Sequence, residues 1–397
     1  MGTITGTNRS ETITGTAGVD TIHARGGNDT VRALEGNDTV YGDAGDDTID
    51  ASLGNDLVYG GLGFDRINAN SGDDRVYGGD DRDDIEGRAG ADLLYGERGD
   101  DSLAGGLGDD QAYGGDGADY FEDAVDDPSG RSGNDLYDGG AGRDTVDYAF
   151  SSAVWVNMGG TAPRGVQRDT HRGVEEVYGS GNDDAIRGDG AANTIRGGYG
   201  DDRLYGQAGN DVLDGGDGDN RLYAGAGRDV VGGSFGAEAD YTGGDDLIDL
   251  GADRDADRAV FYQTSDAPSG SENRFIGSDV VLNFDTARDT LEIQNWESYD
   301  IFYVVDVRDF LDSNDDGRIN AADQEVARSG ADLVLDLGAV FQRAEEVREP
   351  GSDPFRGDAS ITVRGAGAGF ATSRVAPPDL EVTRFETIVR EDGEFPL

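Results

Sequence analysis

Residues 60–68 read Gly60-Gly61-Leu62-Gly63-Phe64-Asp65-Arg66-Ile67-Asn68, and this phrase decides the fold. From Gly6 to Glu122 it recurs thirteen times without insertion or deletion, as Gly-Gly-x-Gly-x-Asp-x-(apolar)-x. The sixth position holds Glu11, Asp20, Asp29, Asp38, Asp47, Asp56, Asp65, Asp74, Asp83, Asp92, Asp101, Asp110 and Asp119. A carboxylate every nine residues is a ladder of ligands for a hard cation, and calcium takes six to eight oxygens in flexible geometry. Glycines at positions one, two and four are expected to take positive φ in a tight turn that aims carbonyl oxygens at the same point. Positions seven to nine then form a short strand. Its eighth residue points inward (Ile22, Val31, Val40, Ile49, Val58, Ile67, Val76, Ile85, Leu94, Leu103), and its seventh and ninth point out.

A second regularity sets the coil. Position nine is Tyr41, Tyr59, Tyr77, Tyr95 and Tyr113, every eighteen residues, with Arg32, Asp50, Asn68, Glu86 and Ala104 between. Two nonapeptides therefore make one coil with a strand on each of two sheets. A nonapeptide period of this spelling is the signature of a calcium-loaded parallel β-helix. The fold class is all-β: a parallel β-roll in two arrays with a β-rich C-terminal cap. One ligand column runs from Glu11 through Asp29 to Asp119 and the other from Asp20 through Asp38 to Asp110, giving at most eleven inter-coil sites. At roughly 4.8 Å per coil the first roll is about 30 Å long.

The repeats resemble the repeats-in-toxin (RTX) family, whose hemolysin-type calcium-binding repeats fold as parallel β-rolls. A second array of six units runs from Gly179 to Gly232, with Asp184, Asn193, Asp202, Asp211, Asn220 and Asp229 in sixth position. Two more units carry Asp135 and Asp144. Asp81 and Asn182 replace the fourth-position glycine, and Asn193 and Asn220 replace the carboxylate, so weaker sites are expected there. The chain divides into a first roll (1–122), an interruption (123–178) in which residues 154–158 form a flanking strand, a second roll (179–232) and a β-rich capping region (233–397). The phrase Ser278-Asp279-Val280-Val281-Leu282-Asn283-Phe284, then Asp289-Thr290-Leu291, looks like the segment that caps RTX rolls in secreted proteases and lipases. Physically, a cap hides an exposed sheet edge.

A different calcium motif lies in that region. Residues 312–323 match the twelve-residue EF-hand loop, with candidate ligands Asp312, Asn314, Asp316, the carbonyl of Arg318, Asn320 and Asp323. The twelfth residue is Asp, as in dockerin-type loops. Short helices are expected on its flanks, over 304–311 and 322–328.

Composition says how such a chain behaves. It has 83 acidic residues against 32 basic, a net charge of −51, 66 glycines and no lysine. Self-repulsion and a thin core predict disorder without metal. Folding and calcium binding are then one process. No cysteine is present, which excludes a disulfide framework and a thiolate metal site. The first residues lack a basic and apolar leader, and no apolar run reaches membrane-spanning length. The RTX resemblance implies type I secretion by an uncleaved C-terminal signal, here Ala376 to Leu397, and an extracellular or cell-surface location. Nucleic acid is a poor partner at this charge.

Enzyme signatures are weak. The only histidines are His23 and His171, so no His-Glu-x-x-His exists. Gly232-Gly233-Ser234-Phe235-Gly236 spells a nucleophile elbow, but it ends a glycine-rich array with no long strand before it or helix after it. A carboxylate-pair glycosidase stays open, because carboxylates are everywhere. The tyrosine face, flanked by Thr39, Leu57, Arg75, Leu93 and Gln111, either packs within the chain or meets a second protomer or a polysaccharide. The reading is a secreted, calcium-loaded protein without a catalytic site, serving in a matrix, surface layer, filament or adhesion. The alternatives are an extracellular hydrolase or effector with its site in 233–397, and a calcium buffer or carrier.

Overall fold

The computed structural model describes residues 2–123, 133–159, 169–233, 246–251 and 255–264. It also describes the strands at 278–282, 290–297, 301–306, 318–319, 326–329, 332–336, 360–363 and 370–371. Among the described residues there is no helix; every regular element is a β-strand. Two compact units divide the chain, Met1–Asp189 and Gly190–Leu397.

In the first unit, alternate strands go to two parallel sheets. Leu57–Leu62 pairs with Arg75–Asp80 in the register Leu57↔Arg75 and Tyr59↔Tyr77, and Thr30–Arg32 pairs with Thr48–Asp50 as Thr30↔Thr48. Both offsets are eighteen residues, so two nonapeptides close one coil. Many strands run six residues rather than three. Gly61↔Gly79 and Leu62↔Asp80 carry the ladder past position nine into the next turn. The ladders also pass Glu122. Leu136–Ala141 adds to Gln111–Asp116, Thr145–Asp147 to Tyr120–Glu122, Thr170–Arg172 to Leu136–Ala141, and Glu176–Tyr178 to Thr145–Asp147. Extra residues between coils leave the register intact. Trp155–Asn157, the strand expected at 154–158, pairs in parallel with Ala185–Arg187.

The interior is a single file of side chains from each sheet. Positions six, eight and one face inward, so Ile22, Val31, Val40, Ile49, Val58, Ile67, Val76, Ile85, Leu94 and Leu103 are all buried. Each such side chain contributes about 1.5–3 kcal/mol. Near residue 120 the file changes character, to Phe121, Tyr137, Tyr148 and His171.

Backbone conformation corrects one expectation about the glycines. Positions two and four have positive φ, as at Gly61 (φ 120°) and Gly63 (φ 105°), but position one does not. Position two keeps positive φ even where it is Arg25, Leu34 or Glu97 (φ 82°, 80° and 79°). Each such residue costs on the order of 1–3 kcal/mol, which the stacked coils offset.

In the second unit, Arg203–Ala208, Arg221–Ala226, Leu247–Asp249 and Ser278–Leu282 stack in parallel, as do Thr194–Tyr199, Val212–Asp217, Val230–Gly233, Arg258–Thr264 and Thr290–Glu297. Beyond these the pairing turns antiparallel. Ile301–Asp306 lies against Thr290–Glu297, and Asp332–Asp336 lies between Val326–Ser329 and Ser360–Val363. The short helices expected beside the EF-hand-like loop are therefore corrected: residues 304–306 and 326–328 are strand. Ile301-Phe302-Tyr303-Val304-Val305 is β-branched and aromatic, and such residues favour a pleated sheet. The loop itself, with Asp312, Asn314, Asp316, Asn320 and Asp323, lies outside the described residues. Only Arg318 and Ile319 are described there, paired with Ala371 and Phe370. The tail from Ala376 and residues 234–236 also lie outside them.

Leu94 is buried and Leu62 is half-exposed. Leu94→Ala should destabilise the calcium-loaded protein by about 2–5 kcal/mol in urea unfolding followed by circular dichroism, and Leu62→Ala should have little effect. Equal effects would mean that position eight is not the core.

Candidate metal centre

Each turn places its sixth-position carboxylate inside the roll, against the coil before it. Oδ1 accepts the backbone N–H of the sixth-position residue eighteen residues earlier. Glu11 donates to Asp29, Asp20 to Asp38, Asp29 to Asp47, Asp38 to Asp56, Asp47 to Asp65 and Asp56 to Asp74. Asp65 donates to Asp83, Asp74 to Asp92, Asp83 to Asp101, Asp92 to Asp110 and Asp101 to Asp119. These bonds are 2.7–2.9 Å long.

The other oxygen is different. Oδ2 of Asp29, Asp38, Asp47, Asp56, Asp65, Asp74, Asp83, Asp92, Asp101, Asp110, Asp119 and Asp144 is buried and accepts no hydrogen bond. A buried, unpartnered carboxylate oxygen costs several kcal/mol if it stays charged.

Asn220 reveals what that oxygen faces. Its Oδ1 accepts the N–H of Asp202 at 2.9 Å, as an aspartate would. Its Nδ2, in place of the second oxygen, donates to the carbonyls of Gly216 (3.2 Å) and Gly218 (3.1 Å), at positions two and four of the turn. With Asp at this position, oxygen meets oxygen, and a cation resolves the repulsion. The position-one glycines fit the same picture. A Cβ built on Gly87 would lie 2.5 Å from Asp92 Oδ2 and 2.7 Å from the Gly105 carbonyl oxygen. Position one is therefore small because the space beside it is lined by oxygens. In other turns a methyl is accommodated, at Ala24, Ala33, Ala51 and Ala69. The residues present fit a hard cation held by carboxylate and carbonyl oxygens.

Turns at the start of each array satisfy their carboxylates internally. Thr16 donates to Asp20 Oδ2 through both N–H and Oγ1 at 2.7 Å. The Ser180 N–H donates to Asp184 Oδ2 at 2.5 Å and its hydroxyl to Oδ1 at 3.0 Å. The Thr7 N–H donates to Glu11. In all three the donor is a hydroxyl residue at position two. Asp81, at the fourth position, adopts φ 77° and leaves the Asp83 stack intact.

Ligand columns also extend through residues that the nine-residue period did not single out. Asp110 donates to Asp135 and Asp135 to Asp169; Asp119 donates to Asp144 and Asp144 to Glu175. In the second unit Asn193 donates to Asp211, Asp211 to Asp229 and Asp229 to Asp257, while Asn220 donates to Asp246. The available signal was an acidic residue two before an inward side chain, as in Asp246-Leu247-Ile248. At one level the carboxylates of Asp123, Asp135 and Asp169 converge, with ligand atoms within 4.8 Å of one another. Tyr148 donates to Asp169 there, and its hydroxyl lies 2.8 Å from His171 Nε2.

Position five contributes a second ladder that runs the other way. Asn28 Oδ1 accepts the N–H of Asp46, Asp46 Oδ1 that of Phe64, Asn55 Oδ1 that of Asp73 and Asp73 Oδ1 that of Ala91. Each of these turns is thus stitched to both neighbours.

Comparison with known families agrees with this geometry. The model described as RTX calcium-binding nonapeptide repeat matches residues 5–40, 23–58, 33–67, 59–94, 86–121, 129–146, 178–213 and 205–237. These repeats belong to the RTX family. They bind multiple calcium ions. No curated protein matches the chain. A similar solved structure is the solution structure of the AlgE6R3 subunit from the Azotobacter vinelandii mannuronan C5-epimerase. It is 20% identical with a TM-score of 0.24, covering 55% of this chain and 93% of that one.

Burial raises the RTX carboxyls. Desolvation takes Asp47, Asp74, Asp101, Asp110, Asp119 and Asp144 to about 6, Asp56, Asp65 and Asp92 to about 7, and Asp83 to about 8. Desolvation, with the Asp169 charge second, takes Asp135 to about 9. Asp20 moves down instead, held first by the Thr16 hydroxyl. The raised groups keep protons in the roll at pH values where the unfolded chain has lost them. Without calcium, stability is therefore greatest below the unfolded carboxyl range and is lost as pH rises through about 6 to 8. With calcium the dependence reverses, because protons compete for the same oxygens.

Two measurements follow. Far-UV circular dichroism in EDTA should show more β-structure at about pH 5 than at about pH 8, whereas calcium affinity should be weaker at the lower pH; parallel trends would refute the desolvation argument. Calorimetric titration should find fewer calcium ions bound by Asp65→Asn and more by Asn220→Asp; unchanged stoichiometry in both would remove the sixth position from the site.

Proposed function

We propose that the protein leaves the cell unfolded, folds when it meets extracellular calcium, and serves there as a structural component of a matrix, surface layer or adhesive contact. One observation carries this reading: a column of buried carboxylate oxygens without donors, in a chain of net charge −51. Cytosolic calcium is scarce, so the same oxygens that demand a cation outside keep the chain extended inside. An extended chain suits a type I secretion channel. Asp20, Asp29, Asp38, Asp47, Asp56, Asp65, Asp74, Asp83, Asp92, Asp101, Asp110, Asp119, Asp135, Asp144, Asp184, Asp202, Asp211 and Asp229 are assigned as the carboxylates of the calcium columns. Asp169, Glu175, Asp246 and Asp257 extend them. Asp20 and Asp184 have protein donors on both oxygens and are the weakest of the set.

A structural role also suits the shape of the repeats. Solenoids gain stability unit by unit through neighbour contacts. Among the described residues no helix is long and apolar enough to cross a membrane. We assign no catalytic residue.

Size-exclusion chromatography with light scattering and far-UV circular dichroism, in EDTA and in millimolar calcium, tests the proposal. The expected result is a disordered monomer that becomes a β-rich, higher-order species. A β-rich monomer would end the self-assembly reading, and a chain indifferent to calcium would end the folding reading.

A further inference from the structure

On the outer face of one sheet in the first unit the aromatic rings form a continuous stack. His23 and Tyr41 lie 4.5 Å apart between ring centroids, and the steps Tyr41–Tyr59, Tyr59–Tyr77, Tyr77–Tyr95 and Tyr95–Tyr113 are 5.0, 5.0, 4.9 and 4.9 Å. Interplanar angles are 4–14°, so each ring is close to a translated copy of the one below. The five tyrosines are half-buried. Between Tyr41 and Tyr95 the faces cover one another, which leaves edges and hydroxyls to solvent; beyond Tyr113 the next residue in register is Asp138. Tyr205 and Tyr223 repeat the arrangement in the second unit at 4.7 Å and 5°.

We propose that this ladder is a site of oxidative phenol coupling, in which tyrosines on successive coils join ring to ring and lock the calcium-folded roll covalently. Near-translation places the ortho carbon of one ring about one coil spacing from the ortho carbon of the next. Coupling requires the side-chain torsions of the two rings to close that gap. The chain has neither cysteine nor lysine, so disulfides and amine cross-links are unavailable to it, and the phenols are its cross-linking chemistry.

The oxidant is a peroxide used by a haem peroxidase. Each of two phenols gives up one electron and one proton, and the two phenoxyl radicals form a bond between their ortho carbons. The two ortho hydrogens then move to the oxygens and restore both rings. The peroxide accepts the two electrons and two protons and leaves as two waters. The proposal rests on calcium-dependent folding, because only the folded roll aligns the rings.

The test uses the full chain. Circular dichroism first establishes the calcium-loaded roll; peroxidase and hydrogen peroxide are then added in calcium or in EDTA. Dityrosine fluorescence should appear about tenfold faster in calcium, since neighbouring rings act at high effective concentration. The product should run as a monomer on a denaturing gel, with cross-linked peptides joining Tyr59 to Tyr77 and Tyr77 to Tyr95, and it should keep its β signal when EDTA is added. The variant Tyr59→Phe, Tyr77→Phe, Tyr95→Phe keeps the stacked rings and should fold with calcium yet lose most of the fluorescence. Equal rates in calcium and EDTA, coupling only between chains, or an undiminished signal in the triple variant would overturn the proposal. Absence of a calcium-induced change before oxidant is added would overturn the folding reading as well.

Discussion

A carboxylate oxygen that faces two backbone carbonyls governs this molecule. It has no donor, it is sealed from water, and it recurs in coil after coil. Everything else in the turn arranges that meeting. Positions two and four curl the backbone so that their carbonyls converge, and position one stays small because the space beside it is lined by oxygen. The apolar file could hold the sheets together, but it cannot neutralise a dozen buried charges. Cation binding is for that reason part of the fold's stability, not an addition to it.

The coil length, the two-sheet arrangement and the inward file were all legible in the sequence, because each is a strict period of nine or eighteen. The site was legible in part. The sixth-position column was plain, but the reason for the glycine at position one was not: spacing alone cannot separate a conformational need from a steric one. Position five escaped notice because its ladder accepts either Asn or Asp and tolerates Phe64 or Ala91 at intervals. Asp169, Glu175, Asp246 and Asp257 escaped because insertions shift them out of the count, while the sheet register that recovers them exists only in space. The helices expected at 304–311 and 322–328 came from the EF-hand template; their described residues, 304–306 and 326–328, are strand, the first of them within a run of β-branched and aromatic residues.

Charge is distributed unevenly between the two faces of the coil. One sheet exposes the stacked tyrosines with Thr39, Leu57, Arg75, Leu93 and Gln111, while the other shows Asp50, Glu86 and Asp84 beside Arg32 and Arg66. The tyrosine row itself is an uncharged stripe on a chain of net charge −51. The tyrosines fill that stripe with one another, so cross-strand stacking accounts for their regular spacing without an external partner.

The hydrogen-bonded turn at Asn220 bears on how such a protein ages. Side-chain amides hydrolyse slowly in water, and the product here would be an aspartate in the same place. The Nδ2 that now donates to Gly216 and Gly218 would become an oxygen pointing at them. One silent chemical event would thus convert a self-sufficient link into one that depends on the surrounding mineral supply. A long-lived population of these molecules would grow steadily more sensitive to calcium withdrawal, at a rate set by amide hydrolysis.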